Sequence, residues 1–200
     1  MVLSQDDDGV HLELGDDSEW HDLNTVIALD VARKTIPRRN LALHQKVEAS
    51  DGRYIAVLSD KRTSARIRLT DGQRHVMEKP VEWAETNYGW SSAPRVTDNP
   101  TWVSVDLAGT HKVREVHVYP RDDEGNEGLC FPFDLEVAVS VDGITWKTTA
   151  SQSDIPQSKD ALVLKFRPVR ARYVRVTGTR LRPNPEDGLF SMQLVEVEVY

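Results

Sequence analysis

Apolar residues fall at every second position through most of the second half of the chain. Val103, Val105 and Leu107 alternate with Ser104 and Asp106, and Val116 and Val118 alternate with His117 and Tyr119. Phe133, Leu135, Val137, Val139 and Val141 continue the alternation up to an Asp142-Gly143 turn that leads into Ile144 and Trp146. A period of two puts one face of a strand in a core and the other in water, so these stretches predict strands, with the 133–146 hairpin the best defined. Leu162, Leu164 and Phe166 predict another strand, Tyr173-Val174-Arg175-Val176 the next, and Val195, Val197 and Val199 the last. Turn-favouring residues separate them: Ser91 to Pro94, Asp98-Asn99-Pro100, Gly109 and Pro120. No helical stripe of useful length occurs, which predicts an all-β sandwich.

The first half is less regular. Asn40-Leu41-Ala42-Leu43 opens the main domain, Lys46 to Ser50 runs into an Asp51-Gly52 turn, and Tyr54 to Leu58 is a short apolar run. Residues 72–89 have weak periodicity but contain Trp83 and Tyr88, the signature of a long loop or insertion whose aromatics serve as packed lids or as ligand platforms. Residues 1–39 differ again. Val10, Leu12 and Leu14 alternate, an acidic stretch interrupts, and Val26-Ile27-Ala28-Leu29 with Val31 forms a second apolar run. This predicts an appendage of two short strands at 1–39, with a linker at Lys34 to Arg39, attached to a sandwich at 40–200; a pair of strands buries little alone and must pack on something else.

Composition narrows the possibilities. Two hundred residues suffice for one core-forming domain with an addition. The single cysteine, Cys130, excludes an internal disulfide, so packing must supply the stability. A formal charge of −7 opposes attraction to phosphate backbones or anionic lipid, which argues against nucleic acid and makes a membrane surface an unlikely partner. The arginines from Arg167 to Arg182 alternate with apolar residues and read as a solvated strand face. Met1 is not followed by a basic stretch and an apolar segment, so the chain reads as a piece of a longer one.

The ordered series of these segments resembles the discoidin or coagulation factor 5/8 type C domain. It runs from Asn40-Leu41-Ala42 and Val47 to Ser50 through Thr70-Asp71-Gly72, Gly89-Trp90-Ser91-Ser92 and Trp102 to Leu107. Val116 to Arg121, Phe133 to Ser140 with Asp142-Gly143 and Trp146, Ala171 to Val176 and Leu194 to Tyr200 complete it. The resemblance implies a galactose-binding-like jelly roll akin to family-32 carbohydrate-binding modules. It also implies a structural Ca²⁺ held by the Leu69 carbonyl, Asp71, Thr86 and Glu196, oxygen donors of the kind calcium takes. The distance from Gly72 to Thr86 departs from the family's usual few residues. The bland alternative is that Asp71 forms an Asx turn and Glu196 is a solvated strand residue.

A ligand surface at the loops of one end is also implied, with Asp51, Arg53 and Tyr54, then Arg121, Asp122, Asn126 and Glu127, then Asn184, Asp187 and Phe190. Within it Tyr54, Arg121, Asn126, Asp187 and Phe190 are the candidate ligand residues, with Arg121 foremost. Donors and carboxylates suit vicinal hydroxyls, and an aromatic ring suits the apolar face of a pyranose. Equally, Arg121 pairs with Asp123 on the surface, Phe190 is core, and the acidic run 122–124 is solvated. The function so implied is non-catalytic: a module tethering a larger secreted or cell-surface enzyme, its parent-chain catalytic domain, to a glycan or polysaccharide. The rivals are a protein- or cell-surface-binding adhesion module and a ligand-free spacer. The six histidines show no paired metal spacing, and no nucleophile elbow or phosphate-binding glycine loop occurs.

Overall fold

The computed structural model describes residues 2–6, 9–13, 38–51, 69–76 and 89–200. The chain divides into two compact units, Met1–Pro37 and Arg38–Tyr200. In the first, β1 (Val2–Asp6) and β2 (Gly9–Glu13) form an antiparallel hairpin in which Val2 faces Glu13 and Asp6 faces Gly9. The alternation at Val10 and Leu12 thus pairs with the residues before it. The run expected at 26–31 lies outside the described residues, as does Tyr54 to Leu58.

The second unit is the β-sandwich that the alternation predicts. Its strands are β3 (Lys46–Ala49), β4 (Trp90–Ser91), β5 (Thr101–Tyr119), β6 (Asp134–Ser140), β7 (Lys147–Gln152), β8 (Leu162–Arg180), β9 (Gln193–Leu194) and β10 (Glu196–Val199). All ladders are antiparallel, with the order β10-β5-β8-β6-β7, β3 added on β5, and β4 paired with β9 separately.

Two strands of nineteen residues, β5 and β8, each serve both layers. The first part of β5, Thr101 to Asp106, lies between β3 and the end of β8, which carries on to β6 and β7; the second part, His111 to Tyr119, lies between β10 and the start of β8. The sequence pattern splits each of these strands in two, at Gly109 in β5 and between the Leu162–Phe166 and Tyr173–Val176 runs in β8. Both places coincide with register shifts. The register skips between Asp106 and His111, where Ala108 takes φ 59° and its amide donates to Asp106 Oδ1 at 3.0 Å. A second skip lies between Val113 and Glu115, opposite the segment holding Pro168, so the imino acid falls where no ladder donor is needed. That bulge also resets the faces: Val113 points inward, and so do Val116 and Val118, leaving Glu115, His117 and Tyr119 on the outer side.

Val103, Val105, Leu135, Val137, Val174 and Val176 from the larger layer and Val116, Val118, Leu164, Val197 and Val199 from the smaller form one buried cluster. The hairpin after β6 is shorter than its pattern predicts. Asp142 Oδ1 accepts the Ile144 and Thr145 amides, both at 2.8 Å, which tightens the turn and turns Val141 and Ile144 outward at 56% and 84% exposed. Trp90 is fully buried opposite Leu194. Gly89 beside it has φ 73°, and a Cβ there would lie 2.1 Å from the Leu194 carbonyl oxygen, so only glycine lets β4 reach β9.

Candidate functional site

Loops following β3, preceding β5, joining β5 to β6 and joining β8 to β9 come together. Asp51 Oδ2 accepts the Ala93 amide at 3.0 Å and lies 3.4 Å from Arg95 Nη2, which also donates to Thr101 Oγ1 at 2.5 Å. Arg95 and Phe190 exchange both backbone hydrogen bonds, and Ser92 and Met192 are joined by two more contacts. Gln193, paired with Ser91, donates its amide to the Cys130 carbonyl. Arg121 Nη1 donates to Gln193 Oε1 at 3.4 Å, which ties the 120–133 loop to the others.

Asp123 organises that loop. Arg121 grips it with two nitrogens, one of them at 2.7 Å, and Asn126 Nδ2 donates to the same carboxylate at 2.8 Å. Burial pushes the Asp123 carboxyl up, but the guanidinium and the amide outweigh it and hold it below the usual carboxylate range. Cys130 is buried between these groups, its thiol pushed up by burial, so it packs rather than reacts. At the far rim the 184–189 turn is exposed: Asn184 Oδ1 accepts the Glu186 amide and Asp187 Oδ1 the Leu189 amide. Asp51 Oδ1, Arg95 Nε and Gln193 Nε2 are buried with no hydrogen-bond partner among the described residues.

A second polar pocket lies where the 69–76 segment crosses β10. Leu69 and Thr70 are buried, Thr70 Oγ1 donates to the Gln45 carbonyl at 2.9 Å, and Asp71 Oδ1 accepts the Gln73 amide in an Asx turn. Glu196 is fully buried. Its Oε1 accepts the Gly72 amide at 3.0 Å, whereas Oε2 has no partner among the described residues. Burial, and then the neighbouring Asp71 and Glu198 carboxylates, pushes the Glu196 carboxyl up to about 8. Glu198 is matched by Arg74 at 2.9 Å and by the Tyr119 and Tyr200 hydroxyls at 2.8 and 3.0 Å, but among the described residues no cation pairs with Glu196. A buried carboxylate with an orphaned oxygen, beside a second acidic residue and a carbonyl-bearing turn, has the chemistry that a hard cation completes.

A family model described as the F5/8 type C domain matches residues 70–191. The chain belongs to the F5/8 type C domain family. Solved structures agree on the fold. Chitosan-binding module 1 of a chitosanase/glucanase from Paenibacillus sp. IK-5 superposes with a TM-score of 0.55 at 25% identity, over 82% of this chain and 99% of that one. The Clostridium perfringens module CpGH89CBM32-5, in complex with GalNAc-β-1,3-galactose, does so with a TM-score of 0.56 at 16% identity, over 81% and 99%. Chitosan-binding module 2 of the Paenibacillus enzyme, in complex with chitotriose, gives 0.54 at 20% identity, over 80% and 99%. No curated protein matches at a significant level.

Within this F5/8 type C domain the residues expected at the ligand surface fall into two groups. Arg121 and Asn126 converge on Asp123, with the Arg121 side chain 14% exposed, while Asp187 stands on the exposed turn and Phe190 is half-buried against the core. Cys130 lies within electrostatic reach of both Arg121 and Asp187, so the two groups border the same region. Asp71 lies within electrostatic reach of Glu196, and Leu69 is buried two residues before it, whereas Tyr54 and Thr86 lie outside the described residues. Glu196 is buried, which removes the alternative of a solvated strand residue. Sequence patterning missed Gln193 as the link between loops and Arg95 as the partner of Asp51, since neither carries a local signal.

Proposed function

We propose that this F5/8 type C domain is a non-catalytic module that binds a glycan or polysaccharide through the loops around Asp187, Phe190 and the Arg121–Asp123–Asn126 cluster. The observation that carries this reading is the superposition on nearly the whole length of modules solved with GalNAc-β-1,3-galactose and with chitotriose. It is supported by the loop cluster itself, where donors, carboxylates and a half-buried ring lie side by side. Hydroxyl hydrogen bonds replace equally good ones to water, so one shallow site of this kind binds weakly. Tethering needs no more than that, because it works by raising local concentration. The module accordingly holds a larger secreted or cell-surface enzyme, carried on the same parent chain, near its substrate.

The same proposal assigns a structural Ca²⁺ to Asp71, Glu196 and the Leu69 carbonyl, with Thr86 as the fourth group. The cation would neutralise two adjacent carboxylates and pin the 69–76 segment to β10; it takes no part in chemistry. Affinity electrophoresis of the full chain through gels containing plant, bacterial and mucin polysaccharides tests the glycan reading. Retardation by at least one of them, weakened in Asp187→Ala or Phe190→Ala, is expected. No retardation by any, with binding to a protein partner instead, would remove it.

A further inference from the structure

The outer face of the larger layer carries a cleft of about 300 Å³, separate from the loop cluster and from the Glu196 pocket. Register explains its shape. Across the layer, Glu48, Ser104, Arg175 and Ala138 form one row, and Lys46, Asp106, Tyr173 and Ser140 form the next. Ser104 and Ala138 are small, so the sheet dips on either side of Arg175, while Trp102, Trp146 and Tyr173 stand up around the dip. Trp102 and Tyr173 occupy off-core positions of β5 and β8, where water-facing polar residues are the rule, and Trp146 stands just before β7.

Arg175 divides the floor. Its guanidinium carbon lies 4.2 Å from the Trp102 ring centroid and 3.8 Å from that of Trp146, so the plane is held between two indoles; Trp146 meets Tyr173 edge-on at 6.5 Å. Arg175 Nε is buried and has no hydrogen-bond partner among the described residues. Native structures rarely leave such a donor unmade, and a ligand acceptor completes it. The acidic groups at the rim already have partners: Asp106 binds Arg172 through two bonds of 2.9 Å, Glu48 pairs with Lys46 at 2.8 Å, and Asp142 caps its own turn. They therefore do not select a cation, but their remaining lone pairs accept hydroxyl protons. Half-buried indole and phenol rings lining the cleft, one fixed donor and several acceptors match one flat amphipathic unit, a pyranose ring.

We propose that this cleft is a second glycan site, on the sheet face, in which a pyranose within a polysaccharide chain packs on Trp102, Trp146 and Tyr173 and accepts a hydrogen bond from Arg175. The proposal rests on the glycan reading above but uses different residues, so the two fail separately. A chain long enough to reach both sites binds by both, and its apparent affinity rises with length.

The test is affinity electrophoresis of the full chain in gels of xylan, laminarin, galactan and glycol chitosan, comparing wild type with Trp146→Ala, Trp146→Phe, Arg175→Ala and the loop variant Phe190→Ala. Trp146→Ala is expected to weaken retardation about tenfold in at least one gel, with Trp146→Phe recovering most of it, as loss and return of one stacking ring require. Should Trp146→Ala not fold, indole N–H signals of wild type during titration with an oligosaccharide of the retarding polymer give the same answer: those of Trp102 and Trp146 shift if the cleft is the site. Retardation lost only in Phe190→Ala, with both indole signals unmoved, overturns the cleft and leaves the loop reading standing. No retardation of wild type in any gel overturns both.

Discussion

Glu196→Gln isolates the buried carboxylate that has no matching charge among the described residues. The Glu196 carboxyl is raised from an ordinary 4.5 to about 8, chiefly by burial. A folded-state value above the unfolded one means the native state holds the proton more tightly. Its stabilising contribution is therefore complete below about pH 4.5 and is lost as pH rises towards 8. Three to four pH units at about 1.4 kcal/mol each set a ceiling of roughly 5 kcal/mol on that loss. The lowered carboxyls of Asp106, Glu115, Asp123 and Asp134 act in the opposite direction, but their contribution is complete above the ordinary carboxylate range and adds no slope in this window. Urea unfolding in the presence of a chelator, at intervals from pH 5 to 8.5, measures the slope. Wild type is expected to lose several kcal/mol across it and Glu196→Gln to lose little, because a neutral amide needs no proton. Calcium at a hundredfold excess over its Kd is expected, on the proposed assignment, to return about 3 kcal/mol to wild type at pH 8, where the carboxylate is ionised, and much less to the variant. An equal slope in both proteins would refute the electrostatic argument; an equal gain from calcium would refute the ligand assignment.

Other substitutions test the packing. Gly89→Ala places a methyl against the Leu194 carbonyl at a positive φ, and a loss of about 3 kcal/mol or more, read as insolubility or a collapsed melting transition, is expected. Arg121→Ala leaves the buried Asp123 carboxylate without its cation and should cost roughly 3 kcal/mol by urea unfolding; an unchanged melt would show that the pair does not hold the loop together. Val137→Ala, fully buried in β6, should cost about 2 kcal/mol, and a much smaller loss would show that the core relaxes around the gap.

Alternation made the inner faces of β5, β6, β8 and β10 legible, because Val, Leu and Phe at every second position have no other economical arrangement. What it could not show was continuity: Gly109 looks like an end, as does the gap after Phe166, and only the bulges there reveal two unbroken strands. Val141 and Ile144 obey the period yet face solvent, since the Asp142 carboxylate folds the turn before the period can run on. The site was legible in part. The 69–76 segment, where the family resemblance places Leu69 and Asp71, reaches Glu196 through the Gly72 amide, while the Arg121–Gln193 contact, 72 positions apart, has no local trace. The cleft aromatics were overlooked for a physical reason: Trp102 and Tyr173 lie at positions that strand periodicity reserves for water, and Arg175 reads there as one more solvated arginine.

Because β5 and β8 run through both layers, neither layer can open by itself. Peeling β10 from the smaller one frees the later part of β5, whose earlier part anchors β3 in the larger, so amide protons in both should exchange through one common opening event. Most of these pairings join residues far apart along the chain, so the domain should also fold slowly for its size. A domain built this way should resist a steady pull along its long strands better than two separately hinged sheets would.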